Sequence, residues 1–105
     1  MSEGCRAPQY RKKPIVIEAL QFDGSVNRAV EICTWANARR EPGEDPWCDY
    51  VTLDGLEGAL EFKVHTLEGD MLVSPGDFVI CGVKGEFYPC KPDIFAATYD
   101  TLTTQ

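Results

Sequence analysis

Histidine is almost missing from this sequence, where His65 stands alone. Five cysteines accompany it, Cys5, Cys33, Cys48, Cys81 and Cys90, with no Cys-x-x-Cys pair among them. Four ligands at metal-binding spacing are therefore not on offer, and neither a metal site nor a cofactor is expected. The odd cysteine count does not suit a complete disulfide framework, so reduced thiols serving as small core fillers are expected. Long apolar runs are lacking too. Nothing approaches the roughly 20 residues of a membrane span, and no secretory apolar region opens the chain. The expected location is the cytoplasm, with no membrane partner. Positive charge is scarce: Lys and Arg number 10 against 17 Asp and Glu, a net charge of −7. Such a surface repels a phosphate backbone and excludes a nucleic-acid duplex as the expected partner, though not a small anion met by a local cluster of cations.

What is present fills one domain of 105 residues, 44% of them apolar, enough for a small core of its own or one shared with a symmetric partner. Residues 1–10, "MSEGCRAPQY", lack periodicity and read as a loose arm; residues 11–100 form the core and 101–105 a tail. "KPIVIEALQF" carries apolar side chains on both faces, Ile15 and Ile17 on one, Val16, Leu20 and Phe22 on the other, which predicts a strand covered on both sides. Ser25 is a suitable N-cap for a helix through "VNRAVEICTWANARR", with Val26, Ala29, Val30, Cys33 and Ala36 or Asn37 at helical spacing. Two prolines, a glycine and four acids make Glu41 to Asp49 a loop.

Beyond that loop the period changes to two. "YVTLDG", "ALEFKVHTLEG" and "DMLVSPGD" predict an antiparallel meander with turns at Asp-Gly, Glu-Gly and Pro-Gly. Leu60, Phe62 and Val64 share its buried face, and Glu61, Lys63 and His65 the wetter one. "DFVICGV" predicts a strand buried on both faces, followed by a turn at Lys84-Gly85 and a short strand through Phe87 and Tyr88. Pro92 suits the first position of a last helix, with Asp93 favourable at its positive end and Ile94, Ala97 and Thr98 as an apolar face backed by Phe95 and Tyr99. The fold predicted is a single α+β domain: a bent antiparallel sheet or small open barrel with one long helix and a short C-terminal helix, assembled as a homodimer.

Three kinds of chemistry compete for these residues. An enzyme would need an activated group. Cys90 has no adjacent base, although Lys91 and the following helix start would favour its thiolate, and a Glu18 and Glu86 carboxylate pair is expected by chance in so acidic a chain. A nucleotide pocket needs cations and a flat ring. Lys91 stands at a helix entrance, Arg11, Lys12 and Lys13 form a basic run, and Phe87, Tyr88, Tyr10, Trp35 and Trp47 offer rings, with Tyr88 the leading candidate. Glu18 interrupts an apolar run, so it should either pair with Lys13 or Lys91 or accept a hydrogen bond from a ligand. A protein-binding module is the third reading, with exposed tryptophan and acid in "EDPWCDY" as anchors.

The pairing of "YRKKPIVIEALQFDG" with "PGDFVICGVKGEFYPCKPDIFAATYD" resembles a widespread family of small proteins encoded by phages and prophages. The two stretches cover about forty residues and leave the central helix and acidic loop unmatched. The resemblance implies a phage origin. It also implies a sponge activity, in which cyclic nucleotide signals of bacterial anti-phage defence are bound and held without cleavage in the infected host. The ligand expected is a small anionic nucleotide such as a cyclic dinucleotide. The expected site residues are Arg11, Lys12, Lys13, Glu18, Tyr88 and Lys91, with no catalytic residue.

Overall fold

A computed structural model describes residues 7–11, 13–52 and 60–102. Its elements run β1 (Glu18–Gln21), α1 (Val26–Asn37), β2 (Cys48–Thr52), β3 (Leu60–Thr66), β4 (Gly69–Leu72), β5 (Phe78–Cys81), β6 (Phe87–Cys90) and α2 (Pro92–Thr98). The strands form two antiparallel three-stranded sheets, ordered β1-β5-β6 and β2-β3-β4. This is a small α+β fold, as expected, but the single bent sheet or barrel resolves into two separate sheets that do not close.

Helix α1 starts where its cap chemistry says it should. The Ser25 hydroxyl accepts the Arg28 N–H (3.1 Å), and Ser25 itself donates through N–H and Oγ to the Asp23 carboxylate, so an orphan donor of the first turn is satisfied and the cap is held in place. The buried stripe is Ala29, Ile32, Cys33 and Ala36, spaced i, i+3, i+4, i+7. Val26 and Val30, expected on that stripe, lie on its exposed flanks, because Ile32 occupies the middle of the arc.

The first strand is shorter and barer than its sequence predicts. Glu18 pairs with Cys81 at one end of β1 and Gln21 with Phe78 at the other, and among the described residues nothing continues the ladder before Glu18. The cause is the partner strand. After Cys81 the chain turns: Gly82 N–H donates to Glu86 O (2.7 Å) and Gly85 N–H to Gly82 O (3.0 Å), with Gly85 at φ +85°. A side chain at Gly82 would run into the Glu86 carboxyl group, which folds over the turn. With β5 gone, Ile15 (47% exposed) and Val16 (75%) have no sheet beside them among the described residues, contrary to a strand covered on both faces. The hairpin itself falls at Lys84-Gly85 as expected and returns as β6, where Pro89 sits opposite Val79. A proline is tolerated there because β6 is an edge strand.

The meander follows the two-residue period. Phe62 and Val64 are buried, whereas Glu61, Lys63 and His65 share the opposite face of β3. Val64 is flanked by Cys48 on β2 and Met71 on β4. The loop expected to reach Asp49 ends sooner, since Cys48 and Asp49 already belong to β2. The Asp-Gly turn after β2 lies outside the described residues.

One core joins α1 to the facing sides of both sheets. Phe22 meets Phe62 edge-on at 4.9 Å, and Phe87 receives Trp35 (5.2 Å) and Trp47 (5.4 Å). The register places Ile80 and Tyr88 on the other side of the first sheet together with Phe78, where Phe95 of α2 stacks on Phe78 at 3.8 Å and 6° between planes. Phe95 and Tyr99, one turn apart, therefore form the sheet-facing side of this end of the chain. Ile94, Ala97 and Thr98, expected to supply the apolar face, are exposed.

Asn37, the last residue of α1, fastens the helix to the second sheet. Its Oδ1 accepts from the N–H groups of Trp47 (2.8 Å) and Cys48 (3.1 Å), and its Nδ2 donates to the Cys48 carbonyl (3.0 Å). Asn37→Ala strands all three part-buried backbone groups, each worth about 1–3 kcal/mol when left unsatisfied. The expected outcome in urea denaturation is a loss of about 3 kcal/mol; unchanged stability would show that the loop does not depend on this clamp.

Candidate functional site

A cavity of about 230 Å³ opens between the segment before β1 and the end of α2, lined by Lys13, Pro14, Ile15, Ile17, Thr98 and Tyr99. Two features of the fold create it. The early end of β5 leaves Lys13 to Ile17 without a neighbouring strand among the described residues. Tyr99, meanwhile, is held in place from its own side: its N–H donates to Phe95 O (2.9 Å) and its ring leans on Phe95 at 5.0 Å. Its hydroxyl is hydrogen-bonded to that of Tyr88 on β6. Burial, with that hydrogen bond second, pushes the Tyr88 phenol up to about 12, so the Tyr88 hydroxyl is neutral at physiological pH.

The structure divides the residues singled out in the sequence. Lys13 lines the cavity, and Tyr88 reaches its edge through Tyr99. Arg11 is exposed nearby in sequence, and Lys12 lies outside the described residues. Lys91 is the N-cap residue of α2, and its ammonium lies 3.2 Å from Asp77 Oδ2, a carboxylate only 3% exposed. Glu18 is not buried, as its apolar neighbours suggested, and pairs with neither Lys13 nor Lys91. Arg39, at the end of α1, donates to it at 2.5 Å and holds its carboxyl below the usual range, with the Trp35 indole adding a hydrogen bond. The reason is the short β1: at its first residue the covered part of the sheet has not yet begun.

The rings sort in the same way. Phe87 is core, and Trp35 and Trp47 pack against it, so neither tryptophan is the exposed anchor expected of "EDPWCDY". Cys90 is no activated thiol. Burial, then the Asp77 and Asp93 carboxylates, raise its thiol above the ordinary range, outweighing the effect expected of Lys91 and the helix start. Glu86 accepts from the Lys84 N–H and serves its own turn, apart from Glu18. Thr98 and Tyr99 are expected from the sequence only as parts of the last helix's apolar side, with no site role. The available signal was the four-residue spacing of Phe95 and Tyr99, which places both rings on one helical face.

A second concavity, about 330 Å³, lies among Gly43, Glu44, Asp45, Pro46, Trp47 and His65. It is acidic. His65 bridges two carboxylates across the meander, Nδ1 to Asp70 at 2.6 Å and Nε2 to Asp49 at 2.9 Å. An anionic ligand suits the first cavity, which carries Lys13, and is repelled by the second. Among the described residues no group of three or more His, Cys, Asp or Glu is placed to hold a metal ion, and no helix is long and apolar enough to cross a membrane. Comparison with protein-family models, curated proteins and solved structures gives no match to this chain.

The histidine bridge makes stability depend on pH with a definite sign. Asp70 first, then Asp49, raise the His65 pKa above its ordinary value, so the folded state binds the proton more tightly than the unfolded one. The stabilisation is complete below the unfolded value of about 6.5 and is lost as pH rises through the higher folded value. Thermal melts should therefore show Tm falling across this alkaline flank, with His65→Gln flattening that slope. A slope that survives the substitution would place its origin in another group.

Proposed function

We propose that this protein is a phage-encoded sponge for cyclic nucleotide signals of bacterial anti-phage defence, working as a homodimer in the cytoplasm of the infected host and holding its ligand without cleaving it. The observation that carries this reading is the cavity at Lys13: a cation beside apolar Pro14, Ile15 and Ile17 and the Tyr99 ring. A nucleotide asks for that combination, since its phosphate is met by positive charge and its base by a flat or apolar wall. In this reading Arg11, Lys12 and Lys13 hold phosphate, and the Tyr88 and Tyr99 pair borders the base. Lys91 contributes by seating α2 on Asp77, and Glu18 by anchoring β1 to Arg39.

Size supports the homodimer in this reading. Sites for drug-sized ligands occupy about 300–1,000 Å³, and about 230 Å³ is too little to enclose a cyclic dinucleotide. Two copies meeting over the exposed Ile15 and Val16 would close a larger chamber and cover the unpaired segment before β1. A second reading, a module that binds and blocks a host protein, draws on Val51 and Leu72, both exposed on the outer face of the second sheet.

The test is direct. The purified protein is incubated with a panel of cyclic di- and trinucleotides, binding is followed by calorimetry, and the complex is then heated to recover the ligand. Binding with intact recovery is the expected result; altered ligand indicates an enzyme, and no binding across the panel favours the host-protein reading. Lys13→Ala and Tyr99→Ala should each weaken binding by about tenfold or more, in line with the 1–3 kcal/mol of a stacked base or charged contact. Normal binding by both variants, with the fold intact by circular dichroism, would place the site elsewhere.

A further inference from the structure

Two thiols meet in the core. Cys33 lies on the buried stripe of α1, one turn before Asn37, and Cys48 opens β2. The Asn37 side chain holds the Cys48 peptide against the helix on both its N–H and carbonyl sides. With residues 33 and 37 on one helical face, this clamp seats Cys48 beside the side of α1 that carries Cys33. Both belong to the same buried core cluster, and each thiol is the leading influence on the other's ionisation. Cys48 is 1% exposed and Cys33 is 8% exposed, leaving Cys33 the more accessible of the two.

From this geometry we infer that Cys33 and Cys48 are a redox pair, which a hydroperoxide converts into a disulfide bolting α1 to β2. Cys33 is the attacking sulfur. It is the more exposed of the two, and the neighbouring Cys48 holds its thiol below the ordinary cysteine range, whereas Cys33 and burial push the Cys48 thiol up. The Asp49 carboxylate opposes ionisation at both sulfurs without reversing this order. In the first step the Cys33 thiolate attacks the peroxide, the O–O bond breaks, and Cys33 becomes a sulfenic acid while the peroxide is reduced to water or an alcohol. In the second, the Cys48 sulfur attacks the sulfenic sulfur, the S–O bond breaks, and water leaves with the thiol proton. One peroxide thus removes two electrons from the pair, and a dithiol reductant returns them.

Cys81 and Cys90 are placed differently. Cys81 accepts from Arg39 at 3.4 Å, and Cys90 donates to the Lys91 carbonyl at 3.6 Å. The bond between Cys33 and Cys48 closes a loop that contains the acidic segment between α1 and β2. Constraining that loop in the unfolded chain stabilises the folded one.

The full-length reduced protein is treated with one equivalent of hydrogen peroxide, quenched by alkylation at low pH, digested without reductant and mapped by mass spectrometry. The expected result is a linked peptide joining Cys33 to Cys48, with Tm raised by several degrees and both changes reversed by dithiothreitol. Cys33→Ser should abolish the linked peptide and leave Cys48 reduced. A linkage that instead joins Cys81, Cys90 or Cys5, or full alkylation of both Cys33 and Cys48 after peroxide, overturns the inference. Because the mapping is done on the unaltered chain, the outcome does not depend on any variant folding.

Discussion

Asp77 is a carboxylate with 3% of its surface exposed, and the first sheet, the turn before it and α2 are all tied to it. Its carbonyl accepts the Phe22 N–H (2.9 Å), its N–H donates to Ser74 O (2.9 Å), and its Oδ2 accepts both the Ser74 N–H (2.9 Å) and the Lys91 ammonium (3.2 Å). Gly76, the residue before it, donates to Phe22 O and accepts from the Gln21 amide, at a φ of +96° that favours glycine. A buried charge persists only when its lone pairs are met. Here the groups that meet it come from the turn between β4 and β5 and from the first residue before α2. Satisfying Asp77 therefore fixes where α2 begins, and the Phe95 and Phe78 stack then fixes how Tyr99 faces Lys13.

Much of this was legible in the residues. Ser25 before a helical stripe, alternation along Leu60 to Thr66 and the glycine turn at Lys84-Gly85 are local signals, and each marks an element that forms. Legibility ends where an element depends on a distant neighbour. Nothing in "KPIVIEAL" says that its partner strand stops at Cys81, so a run with every mark of a buried strand is left largely outside the sheet. The Glu18 and Arg39 pair, 21 residues apart, depends on the same accident of length. The site shows this division in small: Lys13 was legible as a cation, but its meeting with Tyr99 is made by the opposite end of the described chain.

The charge balance looks different once it is placed on the fold. Several acids are already engaged: Asp77 with Lys91, Glu18 with Arg39, Asp49 and Asp70 with His65, Asp23 at the helix cap. The acidic loop lies on the side of the second sheet, in the concavity with His65, whereas Lys13 lies against α2. A net charge of −7 thus coexists with a cavity whose one ionisable cation, among its lining residues, is a lysine. Whole-chain charge sets how the molecule meets a polyanion; it does not set what a single cavity accepts.

Pro89 gives the first sheet a direction. Set opposite Val79 on β6, it has no N–H to offer on the strand's outward side, so that margin is missing a donor where another strand would need one. The margin at β1 carries no such block between Glu18 and Gln21. Two unlike margins mean that growth by strand addition cannot propagate through the sheet from copy to copy. If one copy joins another along β1, the far side of each remains a dead end, and association of this kind terminates at a pair instead of running on into a fibre.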